Sequence, residues 1–131
     1  MNVNLLEVLV AAIIPMVIGF IWYGPLFGNQ WMKISGITKK DMQKDMSKTY
    51  GIMFVGALVM SYVLAHFITY TGANDLISGA VGGFWIWLGF IASVRISDVL
   101  FNKGSMNLYY LDVAYRLVSL LAMGAVLGMW R

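Results

Sequence analysis

Arg95, Asp98, Asp112 and Arg116 are the residues of this 131-residue chain whose types and spacing suit chemistry. Each sits in or at the edge of a long apolar run, where an ion is costly and needs a partner or a task. Arg95 and Asp98 are spaced i,i+3, and Asp112 and Arg116 i,i+4, so each pair shares a helix face. Only a short polar turn separates the two runs, so their helices should be antiparallel neighbours with the pairs at similar depth. Two positive and two negative charges then cancel, and Tyr109 adds a hydroxyl on the Asp112 face. Such a cluster is either a neutral staple between helices or a polar vestibule for an ion, proton or small anion. The staple is the plainer reading. Arg95 also lies about 28 Å along its helix from Leu76, near enough to the boundary for its head to snorkel to water.

Two further groupings deserve the same weighing. Glu7 and His66 fall near the same predicted membrane face, and a His–carboxylate pair there can titrate near neutral pH. The plainer reading is two separate residues facing headgroups. Trp22, Tyr23 and Trp31 can line a mouth beside the charge cluster, although interfacial anchoring explains them as well. Trp85 and Trp87 lie deeper, where a buried indole N–H wants an acceptor, so at least one should face another helix. One histidine and no cysteine leave no basis for a metal centre or thiol chemistry. No HExxH, Walker loop, Ser/His/Asp set or paired-carboxylate site occurs. The expectation is therefore no enzyme, no metal and no cofactor. The ten methionines are scattered and read as adaptable apolar packing.

The elements that must position these groups follow from an apolar excess. Hydrophobic residues make up 60% and charged residues 11%, against about half and a quarter in a soluble domain. Four runs are long enough to cross a bilayer, at about 20 residues each: residues 5–23, 50–70, 76–101 and 108–130. Pro15 interrupts the first, which ends at Trp22-Tyr23-Gly24-Pro25. A loop over 24–49 follows. Thr38 with Asp41 three residues on reads as a helix cap, and Met42, Met46, Thr49 and Met53 continue at helical spacing. The fold class is thus all-α: a four-transmembrane-helix bundle, one membrane domain over 1–131, with an amphipathic lead-in to helix two starting near Lys39. Ala57, Ser61 and Ala65 make a small-residue stripe, and Gly79/Gly83 and Gly124/Gly128 have small-xxx-small spacing. Faces of this kind usually meet another helix, which predicts a homo-oligomer. No convincing internal repeat is present.

Basic residues set the expected orientation. Loop one holds Lys33, Lys39, Lys40, Lys44 and Lys48, and loop three Lys103, against Arg131 alone on the other side. Loops one and three should be cytoplasmic and both termini outside. The N-terminus lacks a basic region and carries Glu7, so the first run reads as a retained helix rather than a cleaved signal. The net charge of +3 is concentrated in loop one. It points to the lipid bilayer and its anionic headgroups as partners and away from nucleic acid.

The ending Gly19-Phe-Ile-Trp22-Tyr23-Gly24-Pro25-Leu26-Phe27-Gly28-Asn29-Gln30-Trp31 resembles the signature of the domain of unknown function 1761 family. The stretch Leu111-Asp112-Val-Ala-Tyr115-Arg116, with Met123-Gly124 and Gly128-Met-Trp130, is similar to that family's last helix. The resemblance covers nearly the whole chain. It implies a small multi-spanning protein of a bacterial or archaeal plasma membrane, and it brings no activity or catalytic residue. A chain of four spans also resembles small multidrug transporters, which use a helix-one glutamate; Glu7 is the one candidate for that role. Two function classes follow: a small oligomeric transporter or channel using the intramembrane charges, or a non-transporting subunit or scaffold whose charge cluster is an interhelical staple.

Overall fold

Asn4 starts the first helix because its side chain and that of Glu7 satisfy each other's neighbouring backbone donors. Asn4 Oδ1 accepts the Leu6 N–H at 2.9 Å, and Glu7 Oε1 accepts the Asn4 N–H at 3.4 Å, closing a capping box. The helix α1 runs over Leu5–Ile21 with Pro15 inside it. The computed structural model describes residues 3–36, 46–101 and 106–130. Gly24-Pro25 does not end the first span as expected. The chain instead widens into a π-turn over Trp22–Leu26, where the Phe27 N–H reaches the Trp22 carbonyl at 2.8 Å. A proline has no N–H to give, and the wider turn accommodates the missing bond. The helix α2 (Gly28–Ser35) then occupies part of what reads from sequence as a plain loop, and it stops at Gly36, whose φ of 76° is left-handed.

The helix α3 is Met46–Thr71, and the start of its lead-in, including Thr38, Lys39 and Asp41, lies outside the described residues. Asp75 caps α4 (Leu76–Trp87). A second π-turn at Leu88–Ala92 joins α4 to α5 (Ser93–Phe101), and α6 (Met106–Trp130) ends the bundle. Four stretches, Leu5–Leu26, Lys48–Thr71, Leu76–Phe101 and Met106–Trp130, are long and apolar enough to cross a membrane. There is no strand among the described residues. The architecture is the all-α four-helix membrane bundle read from the sequence.

Helix α6 is the centre, with α1 and α4 on it and α3 packed mainly on α1. Val113, Tyr115, Ser119, Leu120, Met123, Gly124, Leu127 and Gly128 are its buried residues. It crosses α4 at four glycines. A Cβ on Gly79 would overlap the Gly124 carbonyl oxygen, one on Gly83 that of Leu120, and one on Gly128 that of Asp75. The two small-xxx-small faces are therefore filled by each other within one chain. The Ala57–Ser61–Ala65 stripe is also buried, and Ser61 donates to the Val8 carbonyl of α1 at 2.7 Å. The core of Val8, Ala11, Leu64, Ala65, Ile68, Ala73, Leu120, Met123 and Leu127 lies at this same end of the bundle.

Candidate functional site at Asp112

Asp112 sits about 9 Å into α6 at 1.5 Å per residue, at the end of the bundle opposite the glycine crossing. Two other spans reach it. Arg95 Nη2, from α5, pairs with Asp112 Oδ2. The Tyr23 hydroxyl, from the first span's wide turn, donates to Asp112 Oδ1 at 2.7 Å. One carboxylate thus holds spans one, three and four together through charge-assisted bonds. Arg95 Nε also lies 3.8 Å from Asp98 Oδ2. The Asp112 side chain is 23% exposed, Arg95 41% and Asp98 64%, so the network opens outward along α5.

The π-turn at Leu88–Ala92 explains how Arg95 comes to face α6. Gly79, Gly83 and Trp87 meet α6 at a four-residue repeat, which at regular helical pitch would carry the face through position 94. The wide turn takes in about one extra residue and brings Arg95 to this face instead.

Two expectations need correcting. The i,i+4 spacing of Asp112 and Arg116 suggests an ion pair, but no such pair is present among the described residues. Arg116 lies with its guanidinium carbon 5.1 Å from the centroid of the Tyr115 ring, and Asp112 turns to the other spans. Tyr109 does not reach Asp112 either. Its hydroxyl donates to the Ala92 carbonyl at 2.6 Å, an acceptor left accessible by the π-turn.

The aromatics gather at this end. Trp22 Nε1 donates to the Leu111 carbonyl at 3.1 Å. The Tyr23 ring lies edge-on to Trp31 and to Tyr115, at 5.4 and 5.3 Å between centroids. The Tyr115 hydroxyl donates to the Pro15 carbonyl at 2.7 Å. Of the two deep indoles, Trp87 faces inward and donates to the Val113 carbonyl at 2.8 Å, whereas Trp85 is 62% exposed. Each of these bonds ends on α1 or α6, so the aromatics tie neighbouring spans to one another.

Among the described residues no ion pair joins Glu7 to His66. Glu7 is buried in the α1 cap, a role that the Asn4-x-x-Glu7 spacing announces. His66 stands between Tyr62 and Tyr70 on its own helix, with centroids at 4.6 and 6.4 Å. Sequence reasoning also missed Tyr23 as the second partner of Asp112. The available signal was a tyrosine beside the first span's end, at the depth expected for the charge cluster.

Among the described residues no group of three or more His, Cys, Asp or Glu is placed to hold a metal ion. No curated protein and no solved structure matches the chain. A family model described as protein of unknown function (DUF1761) matches residues 6–128, and the chain belongs to that family.

Proposed function

We propose that this integral membrane protein is a non-transporting subunit or scaffold, and that the Asp112 network is its interhelical latch. The observation that carries this reading is the convergence on one carboxylate of donors from two other spans, Arg95 and Tyr23. Buried polar links of this kind fix which helices meet and at what register. The reading includes no enzymatic activity and no cofactor. Loops one and three face the cytoplasm, as the lysine distribution favours. Labelling of a Lys40→Cys variant from outside intact cells would reverse that orientation. Oligomerisation needs a different basis from the glycine faces, which are already occupied. What supports a homo-oligomer is α5, which buries no residue, together with Gly51 and Gly56 of α3, where a Cβ would meet nothing within 4 Å. Light scattering on the purified protein tests it, and a monomer removes it.

A second reading, a small transporter or channel, is favoured by one observation. Arg116 lies deeper than Asp112 and makes no ion pair among the described residues, and a cation at that depth suits an anion pathway. Currents from proteoliposomes on a solid-supported membrane separate the two. The scaffold reading expects none upon proton, sodium or chloride jumps. A current that Arg116→Gln abolishes, in a variant that melts like the parent, replaces the latch with a pathway.

A further inference from the structure

The groove between α2 and the start of α6 has the form of a phospholipid site. It has a volume of about 630 Å³ and opens to the outside. Phe27, Ile34 and Leu111 supply apolar wall, while Gln30, Lys33 and Asn107 supply polar groups. Among the described residues no carboxylate lines it, and Lys33 is the charged residue of its lining.

Its depth matches the boundary of a bilayer. The first span, Leu5–Leu26, has 22 residues, or about 33 Å at 1.5 Å per residue, which uses up a hydrocarbon core of about 30 Å. The helix α2 begins two residues later and so lies at the headgroup level. On α6 the lining runs from Asn107 to Ala114, reaching about 10 Å toward the acyl region. Trp31 turns away from the groove onto Tyr23, and Trp22 spends its N–H on Leu111. The face left to the groove therefore has a cation and amides at one end and hydrocarbon at the other.

We propose that this groove binds one anionic phospholipid, with the phosphate at Lys33 and Gln30 and an acyl chain along Phe27, Ile34 and Leu111. A zwitterionic lipid fills the same apolar wall but brings its own cation toward Lys33, so the charge at the rim selects anionic headgroups. The site is separate from Asp112 and stands whether or not the latch reading does.

Native mass spectrometry of the full chain, released from micelles containing phosphatidylglycerol or phosphatidylcholine of identical acyl chains, tests this. The expected result is one retained phosphatidylglycerol per chain, favoured about fivefold, the worth of one lysine near an anionic surface. Lys33→Gln should abolish the preference. Lys33→Arg should keep it, and so should Lys48→Gln, which removes an exposed lysine outside the groove. Equal retention of the two lipids overturns the proposal, as does an effect of Lys48→Gln equal to that of Lys33→Gln. Inorganic phosphate offers the charge without the chains. It should leave the lipid bound, and displacement by phosphate would reduce the groove to a simple anion site.

Discussion

The two ends of the bundle are held by different physics. At the end that carries α4's start and α6's finish, backbone meets backbone. Gly79, Gly83, Gly124 and Gly128 bring the two helices so close that no side chain fits between them, and the apolar core lies alongside. In lipid, where apolar surface gains little by meeting more apolar surface, such close packing is a main source of helix association. At the Asp112 end the helices are joined by directed bonds instead: Arg95 and Tyr23 to Asp112, Trp22 to Leu111, and Tyr109 to Ala92. There α5 buries nothing, and residues 48–53 of α3 are exposed. Contact area holds one end, and a few polar atoms hold the other. The glycine end should therefore fail through steric insertion and the Asp112 end through loss of single partners.

The sharpest break of this contrast is Gly124→Leu. Its Cβ alone would overlap the Gly79 carbonyl oxygen, and the neighbour is backbone that cannot swing aside. Overpacking at such a site should cost about 3 kcal/mol, read as a large fall in detergent melting temperature or as loss of folded protein. Gly89→Leu, at an exposed position of the third span where a Cβ would meet nothing within 4 Å, should leave the melt almost unchanged. Equal effects at the two positions would mean that the α4–α6 crossing is not what holds that end.

Asp112→Leu comes next. It strands the Tyr23 hydroxyl and the Arg95 guanidinium together. Bonds to charged groups are worth about 1.5–3 kcal/mol each when buried, and the partial exposure of Arg95 lowers this to about 2 kcal/mol for the site. Arg116→Leu should cost less, since the contact of its guanidinium with the Tyr115 ring is worth about 0.5–1 kcal/mol. The order of the two melting temperatures is the measurement. A reversal would restore the Asp112–Arg116 pair that the spacing suggests.

That reversal of partners shows what sequence could and could not reveal. The four spans were legible because length and apolarity are local properties. The glycine spacings were legible too, but whether they meet another chain or each other depends on topology, and here they meet each other. The cluster of Arg95, Asp98 and Asp112 could be placed at one depth from the short turn between spans three and four. Its wiring could not, because the π-turn at Leu88–Ala92 shifts the inward face of the third span by about one residue, and nothing in Leu-Gly-Phe-Ile-Ala announces it. From sequence Tyr23 reads as an interfacial anchor or as lining of a mouth beside the charge cluster. Its bond to Asp112 depends on the wide turn at Trp22–Leu26, where Gly24-Pro25 reads more simply as a helix stop.

A smaller effect tests whether the polar links act singly. Trp87→Phe keeps the ring volume roughly in place and removes one N–H from the Val113 carbonyl. It should cost about 1 kcal/mol, and Trp85→Phe, at an exposed ring, should cost nothing measurable. If both are silent, that indole bond adds nothing to the join between α4 and α6.

The smallest expected effect belongs to Asp75, in the turn before α4. The Ser78 hydroxyl and then the Ser78 backbone N–H hold its carboxyl below the usual carboxylate range. A carboxyl whose folded value is depressed stabilises the fold above its unfolded value, and that contribution fades as pH falls through the folded one. The carboxylate is exposed, so the effect should be slight, complete above about pH 4, the ordinary aspartate value, and lost below it. Melting curves for the parent and Asp75→Asn should differ near neutral pH and converge on acidification. If they stay parallel down to strongly acid pH, the charge on Asp75 contributes nothing. The α4 start would then rest on a neutral N-cap beside the glycine crossing, and both of the contrasted mechanisms would be needed within one turn of helix.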